Sequence, residues 1–470
     1  MALAGCASSA GIVGSAKLID PATIGVVAPA GNAGTTMNAA AGAPIAADWW
    51  RGFGDGVLSD LIDKSIAGSP NLLAAQARVA RTESNVGAAR AAEGPQLTGQ
   101  GSATRQRITA TGIYPPPLAG SIIDLGTLQL NGSWDLDLFG RNRAALDAAV
   151  GTQRAAEADA GAARVLVAVN VARNYVQLAR LLDQREVLQQ SLTQRDQVLS
   201  LIRQRVSAGL DTTVELRQGE GALPETRAQI EAIDEQVALA RHALAALAVL
   251  PPNAFDALTP RLSAVRAVAV PGVVPADLLG RRADIVAARW RVEAAGGEVA
   301  LARAQFYPNI NLTAFVGFSS VGFDRLLRAG SEQFGGGPAI SLPIFDAGRL
   351  RASLRGRTAD LDAAIESYNG NVIDAVRDVA DQIGSVAAIE RQLREQADAQ
   401  RSAEAAYDIA SQRFRAGLTT YLTVLTAETN VLTQRRLGVD LRARGLDVQM
   451  QLVRALGGGY ASQTTQAASS

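Results

Sequence analysis

The chain has 470 residues, 48% of them hydrophobic, with 45 basic against 45 acidic side chains and a formal net charge of zero. That balance excludes a global field able to recruit nucleic acid or anionic lipid, while the apolar content suffices for two or three domains with a substantial core. One cysteine and one histidine exclude an internal disulfide, a zinc constellation of the usual kind and a Cys–His nucleophile pair.

At the amino terminus Cys6 follows Leu3-Ala4-Gly5, the pattern of a bacterial lipobox. An acylated cysteine there would tie the mature amino terminus to a membrane surface. Only five residues precede Cys6, too few for the charged and apolar regions of a signal peptide, so the natural start is expected upstream. The competing reading is a chance tetrad with a free thiol. Residues 7 to about 47 are largely Ala, Gly, Ser and Thr with scattered Pro, and read as a tether that wraps on a folded body. Lys17 and Lys64 are the only lysines; the arginines, dispersed over helical faces without interleaved aromatics, read as solvated surface rather than a nucleic-acid patch. No stretch reaches the roughly 18 consecutive apolar residues of a transmembrane helix, so a membrane crossing would have to be made by strands.

Two ribbons alternate with a period of two. In the first, Leu128, Leu130, Gly132, Trp134, Leu136 and Leu138 oppose Gln129, Asn131, Ser133, Asp135 and Asp137; in the second, Ile310, Leu312, Ala314, Val316 and Phe318 oppose Asn309, Asn311 and Thr313. Side chains of a strand alternate between faces, so each ribbon has one apolar and one polar face. At about 10 residues each, they approach the roughly 9–11 that a tilted strand needs to cross a bilayer, although a lone ribbon of this kind also suits an ordinary amphipathic sheet.

The sequence is written twice. Residues 204–209, QRVSAG, recur as QRFRAG at 412–417, and Leu210/Leu418, Thr212/Thr420 and Glu220/Glu428 keep the offset. Upstream, Arg78/Arg291, Arg90/Arg303 and Pro95/Pro308 pair at a slightly different offset, the change falling in the strand and loop region, where insertions are cheap. Each half is therefore expected to run helix, strand, loop, strand, very long helix, tight glycine turn, second helix. The halves are placed at residues 48–258 and 259–457, between the tether at 1–47 and a tail at 458–470.

The first long helix is predicted from about Asn142 to Ala208, a span of roughly 100 Å. Leu178, Leu181, Leu188, Leu192, Leu199, Ile202 and Val206 fill a and d positions of a heptad, interrupted by Arg185 and Arg195, which predicts coiled-coil pairing with a returning helix from about Thr213 to Pro251-Pro252. Pro224 is expected to kink or break that partner. Gly209 and Gly417 sit just past helices that carry Arg205 and Arg413 in the last turn, the arrangement of a glycine C-cap with a cation facing the negative end of the dipole. Four strands cannot close a barrel, which needs about eight, so lipid-facing strands would require oligomerisation, and three chains would supply twelve.

No catalytic constellation stands out. His242 reads as a surface or packing residue; FGGGP at 334–338 precedes a strand-like run and lacks the lysine of a phosphate loop; Asp135 and Asp137, two apart on one face of a ribbon, are explained by their flanks rather than by glycosidase chemistry.

LAGC, ADWWRGFGD, SWDLDLFGRNR, VPADLLGRRADIVAARWRVEAA, AQFYPNINLTAF, LPIFDAGRLRA and AGLTTYLTVLTAETNVL resemble, in collinear order over about residues 45–457, the outer-membrane efflux protein family of TolC/OprM/NodT-type lipoproteins. The resemblance implies a mainly α chain with membrane β: a homotrimer whose twelve-stranded barrel, four strands per chain, continues into a periplasmic α-helical coiled-coil tunnel. It implies a passive export duct for drugs or small toxic compounds, not an enzyme and without a cofactor or metal, lipid-anchored at Cys6 in the outer membrane. Its partners would be a periplasmic adaptor and an inner-membrane pump of the resistance-nodulation-division type, with the tips at Arg205, Gly209, Arg413 and Gly417 touching the adaptor. In relatives carboxylate rings close the tunnel just beyond the tip; the matching positions here are Thr423 and Thr426, and no aspartate lies between Gly417 and Glu428. Closure is expected instead from Tyr421, Leu422 and Leu425 with Glu215 of the first tip. The alternatives are the same architecture in type I protein secretion and a coiled-coil scaffold that is no channel.

Overall fold

The computed structural model describes residues 8–20, 45–267 and 281–460. Cys6 and much of the expected tether lie outside them, as do residues 461–470 of the expected tail.

Helix α1 (Gly56–Gly68) starts where the Asp55 carboxylate accepts the Leu58 N–H, and α2 (Pro70–Ala91) starts on a proline, which sacrifices no helical hydrogen bond at the first position. Just beyond Pro95 comes β1 (Gln96–Arg107), then β2 (Ile122–Asp135), α3 (Arg141–Ser207) and α4 (Thr213–Leu247). The second half repeats the order with α5 (Ala283–Ala304), β3 (Asn309–Val321), β4 (Glu332–Ser341), α6 (Arg349–Arg415) and α7 (Tyr421–Ala455). Helices α3 and α6 are 67 residues each, about 100 Å of helix apiece.

Two compact units emerge, and each takes segments from both sequence repeats. Of the described residues, one comprises 8–18, 77–157 and 287–369. It holds an antiparallel sheet in the order β1-β2-β3-β4, so that β1 and β4 are its edges. Beside the sheet, α3 and α5 cross closely through small residues: a Cβ on Gly151 would lie 2.9 Å from the Ala294 nitrogen, and one on Gly297 2.8 Å from the Ala148 nitrogen. Ile12 of the amino-terminal segment is buried with Val299, Ala302, Phe306, Leu350 and Leu354.

Of the described residues, the other unit comprises 19–20, 45–76, 158–267, 281–286 and 370–460. Its core joins Trp50, Phe53, Leu58 and Ile62 to the apolar seams of α3, α4 and α7. The heptad leucines Leu178, Leu181, Leu188 and Leu199 are buried as their spacing predicts. The two interrupting arginines turn out to be cross-links: Arg185 grips Asp234 of α4 with both nitrogens, and Arg195 reaches two helices.

Three expectations need correction. Pro224 neither breaks nor ends α4, which runs continuously from Thr213 to Leu247; the ring lies on an exposed face, where water can take the carbonyl left without its N–H partner. The first ribbon stops at Asp135, so Leu136 and Leu138 lie past the strand: Asp137 turns the chain at φ 46° and caps α3 by accepting the Asn142 and Arg143 N–H groups. FGGGP does not precede a strand but lies inside β4.

Candidate functional site

The sheet has two chemically opposite faces. Cross-strand register aligns Gly99, Leu130, Val316 and Phe334 in one row, and Leu97, Gly132, Ala314 and Gly336 in the next. With Leu128, Trp134, Leu312, Phe318 and Ile340, these make a continuous apolar face, on which Phe334 is 85% and Val316 57% exposed. A single chain in water would not leave so much contiguous apolar surface uncovered. The opposite face is polar and, from Gln96 to Gln106 of β1, uncharged. There Gln333 Nε2 donates to Gln129 Oε1 (2.9 Å), Gln129 Nε2 to Asn131 Oδ1 (2.7 Å) and Asn131 Nδ2 to Gln100 Oε1 (3.4 Å), an amide ladder spanning β1, β2 and β4. The alternation in β1 and β4 escaped the sequence reading because glycine holds every second outer position of Gly99-Gln100-Gly101 and breaks up the apolar run in FGGGP.

The second candidate region is the tip of the helical hairpins. Gly209 (φ 73°) and Gly417 (φ 75°) each end a long helix in the same way, Leu210 N bonding to Arg205 O and Leu418 N to Arg413 O, both at 2.8 Å. These are Schellman caps, which need a residue tolerant of positive φ. Arg413 is exposed, but Arg205 is folded inward: it pairs with Asp211 (2.7 and 3.0 Å), donates to the Phe414 carbonyl (3.3 Å) and lies 4.9 Å over the Phe414 ring. Its side chain keeps only 15% exposure, so it braces the two tips against each other rather than presenting a free cation.

Within one chain the expected closure residues fall into different environments. Tyr421 is 3% exposed and sits in an apolar cluster with Ile202, Ala410, Phe414 and Val424, with Leu425 against it; burial raises the Tyr421 phenol above its ordinary pKa. Glu215 is occupied locally: its carboxylate accepts from the Thr212 backbone N–H (3.0 Å) and hydroxyl, closing a capping box at the start of α4, and these bonds hold it below the usual carboxylate range. What α7 exposes just past the tip is Leu422, Thr423 and Thr426, a face without charge; Thr426 and Thr429 turn their hydroxyls back to carbonyls one turn earlier.

Behind that face lies a polar node that the sequence did not single out. Glu428 of α7 accepts from Arg195 Nε and Ser191 Oγ of α3, both at 3.0 Å, while Arg195 Nη1 donates to the Ala222 carbonyl (3.1 Å) and Thr226 Oγ1 (2.9 Å) of α4. The pair is 10% and 7% exposed. Farther along, Arg180–Asp440 (2.7 Å) and Arg173–Asp447 (2.5 Å) step by seven residues in opposite directions, as an antiparallel α3–α7 contact requires. The missed signal was charge complementarity across the two repeats, legible only once α3 and α7 are known to be neighbours. His242 is exposed, and among the described residues no group of three or more His, Cys, Asp or Glu is placed to hold a metal.

Comparison with known proteins follows this geometry. A family model described as outer membrane efflux protein matches residues 61–248 and 274–458. The fusaric acid resistance protein FusA of Burkholderia cepacia is 41% identical over 359 residues, 75% of this chain and 66% of FusA, so the chain spans just under two thirds of that relative. The multidrug resistance outer membrane protein MdtQ of Escherichia coli is 33% identical over 420 residues, 88% of either chain. Among solved structures, the outer membrane protein VceC of Vibrio cholerae superposes with a TM-score of 0.84 at 35% identity, covering 89% of this chain and all of VceC; the outer-membrane channel OprN gives 0.83 at 26%, covering 98% and 100%. The mainly α fold with a four-stranded membrane sheet is the fold of these channels.

Proposed function

The chain belongs to the outer membrane efflux protein family, and from that premise we propose that it is the outer-membrane duct of a tripartite efflux pump. Three copies join β4 of one to β1 of the next, closing twelve strands around a lumen walled by the amide ladder, with the apolar face on lipid. A sheet with one exposed apolar face and two open edges, attached to helices of 67 residues, carries this reading. A soluble scaffold would have no use for that face.

The duct supplies a water-filled path and no energy; an inner-membrane pump of the resistance-nodulation-division type provides the drive, and a periplasmic adaptor engages the tips around Gly209, Arg413 and Gly417. Its cargo is small toxic compounds, in keeping with the names of FusA and MdtQ. The gate is neutral: Leu422, Thr423 and Thr426 from three α7 helices face one another, while Arg205 and Tyr421 hold the tips from behind. Acylation at Cys6 is supported by the segment that follows it, because Ser8 and Ala10 carbonyls bond Arg351 in the first turn of α6, next to the sheet.

Planar-bilayer recording tests the duct and its gate together. The wild type should form pores with weak preference between potassium and chloride. Thr426→Asp should place three carboxylates in the constriction, making the pore cation-selective and sensitive to divalent cations. A protein that forms no pores refutes the duct, and pores whose selectivity ignores Thr426→Asp refute the gate.

A further inference from the structure

We propose that the end of the sheet next to the long helices binds the phosphates of anionic phospholipid, in the leaflet on the helix side; the inference rests on the barrel reading above. Antiparallel register gathers four chain ends there, since Gln96 pairs with Ser133 and Asn309 with Ser341. Each of the four adjoining helix ends carries an arginine. Arg90 and Arg303 lie in the last turns of α2 and α5, Arg143 in the first turn of α3 and Arg349 in that of α6.

All four are exposed, and among the described residues no side chain or carbonyl hydrogen-bonds their guanidinium groups. Three of the nearby carboxylates are already engaged, and Glu93 and Asp147, within a turn of Arg90 and Arg143, form no ion pair with them. Asp135 takes Arg141 (2.7 Å), Asp137 takes the Asn142 and Arg143 N–H groups (2.9 and 3.0 Å), and Asp346 takes those of Gly348 and Leu350 (3.0 and 2.8 Å), although its charge is felt by Arg349. Asp137 and Asp346 cap the N-termini of α3 and α6 from outside the helices, and neither first turn adds a further acidic residue, so the Arg143 and Arg349 guanidinium groups keep no hydrogen-bonded carboxylate of their own.

Directly beside these arginines runs a belt of exposed aromatic and aliphatic side chains. Phe139 stacks on Tyr307 at 5.2 Å, Phe345 is 85% exposed, and Leu138 and Ile344 extend the belt. Rings at the headgroup boundary with guanidinium groups on their aqueous side reproduce the order of a lipid interface: acyl chain, glycerol region, phosphate. Charge complementarity selects a net anionic headgroup, and the adjoining rings select a lipid over a free phosphate. Three copies would present twelve such arginines.

The full-length protein would be reconstituted in phosphatidylcholine vesicles with and without phosphatidylglycerol, its conductance measured, and the lipid it retains identified by native mass spectrometry. The wild type should retain phosphatidylglycerol over phosphatidylcholine, each arginine near the surface contributing about fivefold in binding at low salt. Changing Arg90, Arg143, Arg303 and Arg349 together to Gln should abolish that preference, and changing them to Lys should keep most of it. Equal lipid retention by wild type and the Gln variant, with conductance intact, overturns this inference alone. Failure of the wild type to insert or conduct overturns it together with the duct.

Discussion

At the residue scale, the arginines on α3 divide into two kinds, and the sequence could not separate them. Arg185 and Arg195 interrupt an apolar seam, and a seam interrupted by charge reads as weakened; in the fold they reach across to Asp234 and Glu428. Arg195 is the more consequential, because its pair is buried and its Nη1 donates to Ala222 and Thr226 as well. Arg195→Leu should therefore cost about 3–5 kcal/mol, since it strands a buried carboxylate, whereas Arg195→Leu with Glu428→Leu should recover at least half of that. Thermal unfolding of the four proteins of this cycle in detergent checks the claim; a double-variant loss equal to the sum of the two single losses would mean the two side chains do not act on each other. Tyr421 shows the converse limit. Its place after the tip was readable from the repeat, but one or two positions along a helix decide between core and lumen, and only the packing of Phe414 and Val424 against it fixes the inward choice.

At the element scale, periodicity carried most of the information. The long helices, their glycine ends, the prolines before β1 and β3 and the polar-apolar alternation of β2 and β3 were all legible, because each is a local consequence of side-chain spacing. Two things were not. One was the extent of the strands in glycine-rich stretches, where the outer face loses its apolar signature. The other was where the amino-terminal segment docks, since its residues bond at a separation of several hundred positions. Asp362 of α6 accepts the Ser15 N–H (3.0 Å), the Ala16 N–H (3.2 Å) and the Ser15 hydroxyl (3.1 Å), and these bonds hold its carboxyl below the usual range. A carboxylate held low stabilises docking fully above its ordinary pKa and loses that contribution as pH falls through the lowered one. Hydrogen exchange at Ser15 and Ala16 should accordingly stay slow in the wild type down to about pH 4 and rise below it. In Asp362→Ala it should be fast at neutral pH. Unchanged exchange in that variant would show that the Ile12 contacts alone hold the segment.

At the scale of the whole molecule, membership of an outer-membrane family and the register of the sheet together make the two faces distinguishable by experiment. Val316→Arg puts a charge on the apolar face and should destabilise the folded, heat-modifiable species by about 2–4 kcal/mol if the site is near the bilayer midplane. Asn131→Arg, on the amide face, should leave that species intact and shift the pore towards anions. Equal effects of the two substitutions on a gel-shift assay would mean that neither face meets lipid. The same register explains why a sequence-based reading could reach the fold yet miss the sheet's polar ladder: Gln100, Gln129 and Gln333 belong to three strands, and the hydrogen bonds that link them, through Asn131, exist only after pairing.

The α3–α7 ion pairs bear on how the chain is made. Arg173 and Asp447 are 274 residues apart, and Arg195 and Glu428 are 233 apart. A chain threaded amino terminus first exposes the α3 seam long before its carboxy-terminal partner emerges, and contacts of such separation form slowly. During that interval the leucines of α3 have only α4 and the preceding Trp50–Ile62 segment to cover them. A chain truncated before Tyr421 should therefore leave part of the α3 seam uncovered and be degraded rather than assemble as a shorter duct, which pulse-chase labelling checks.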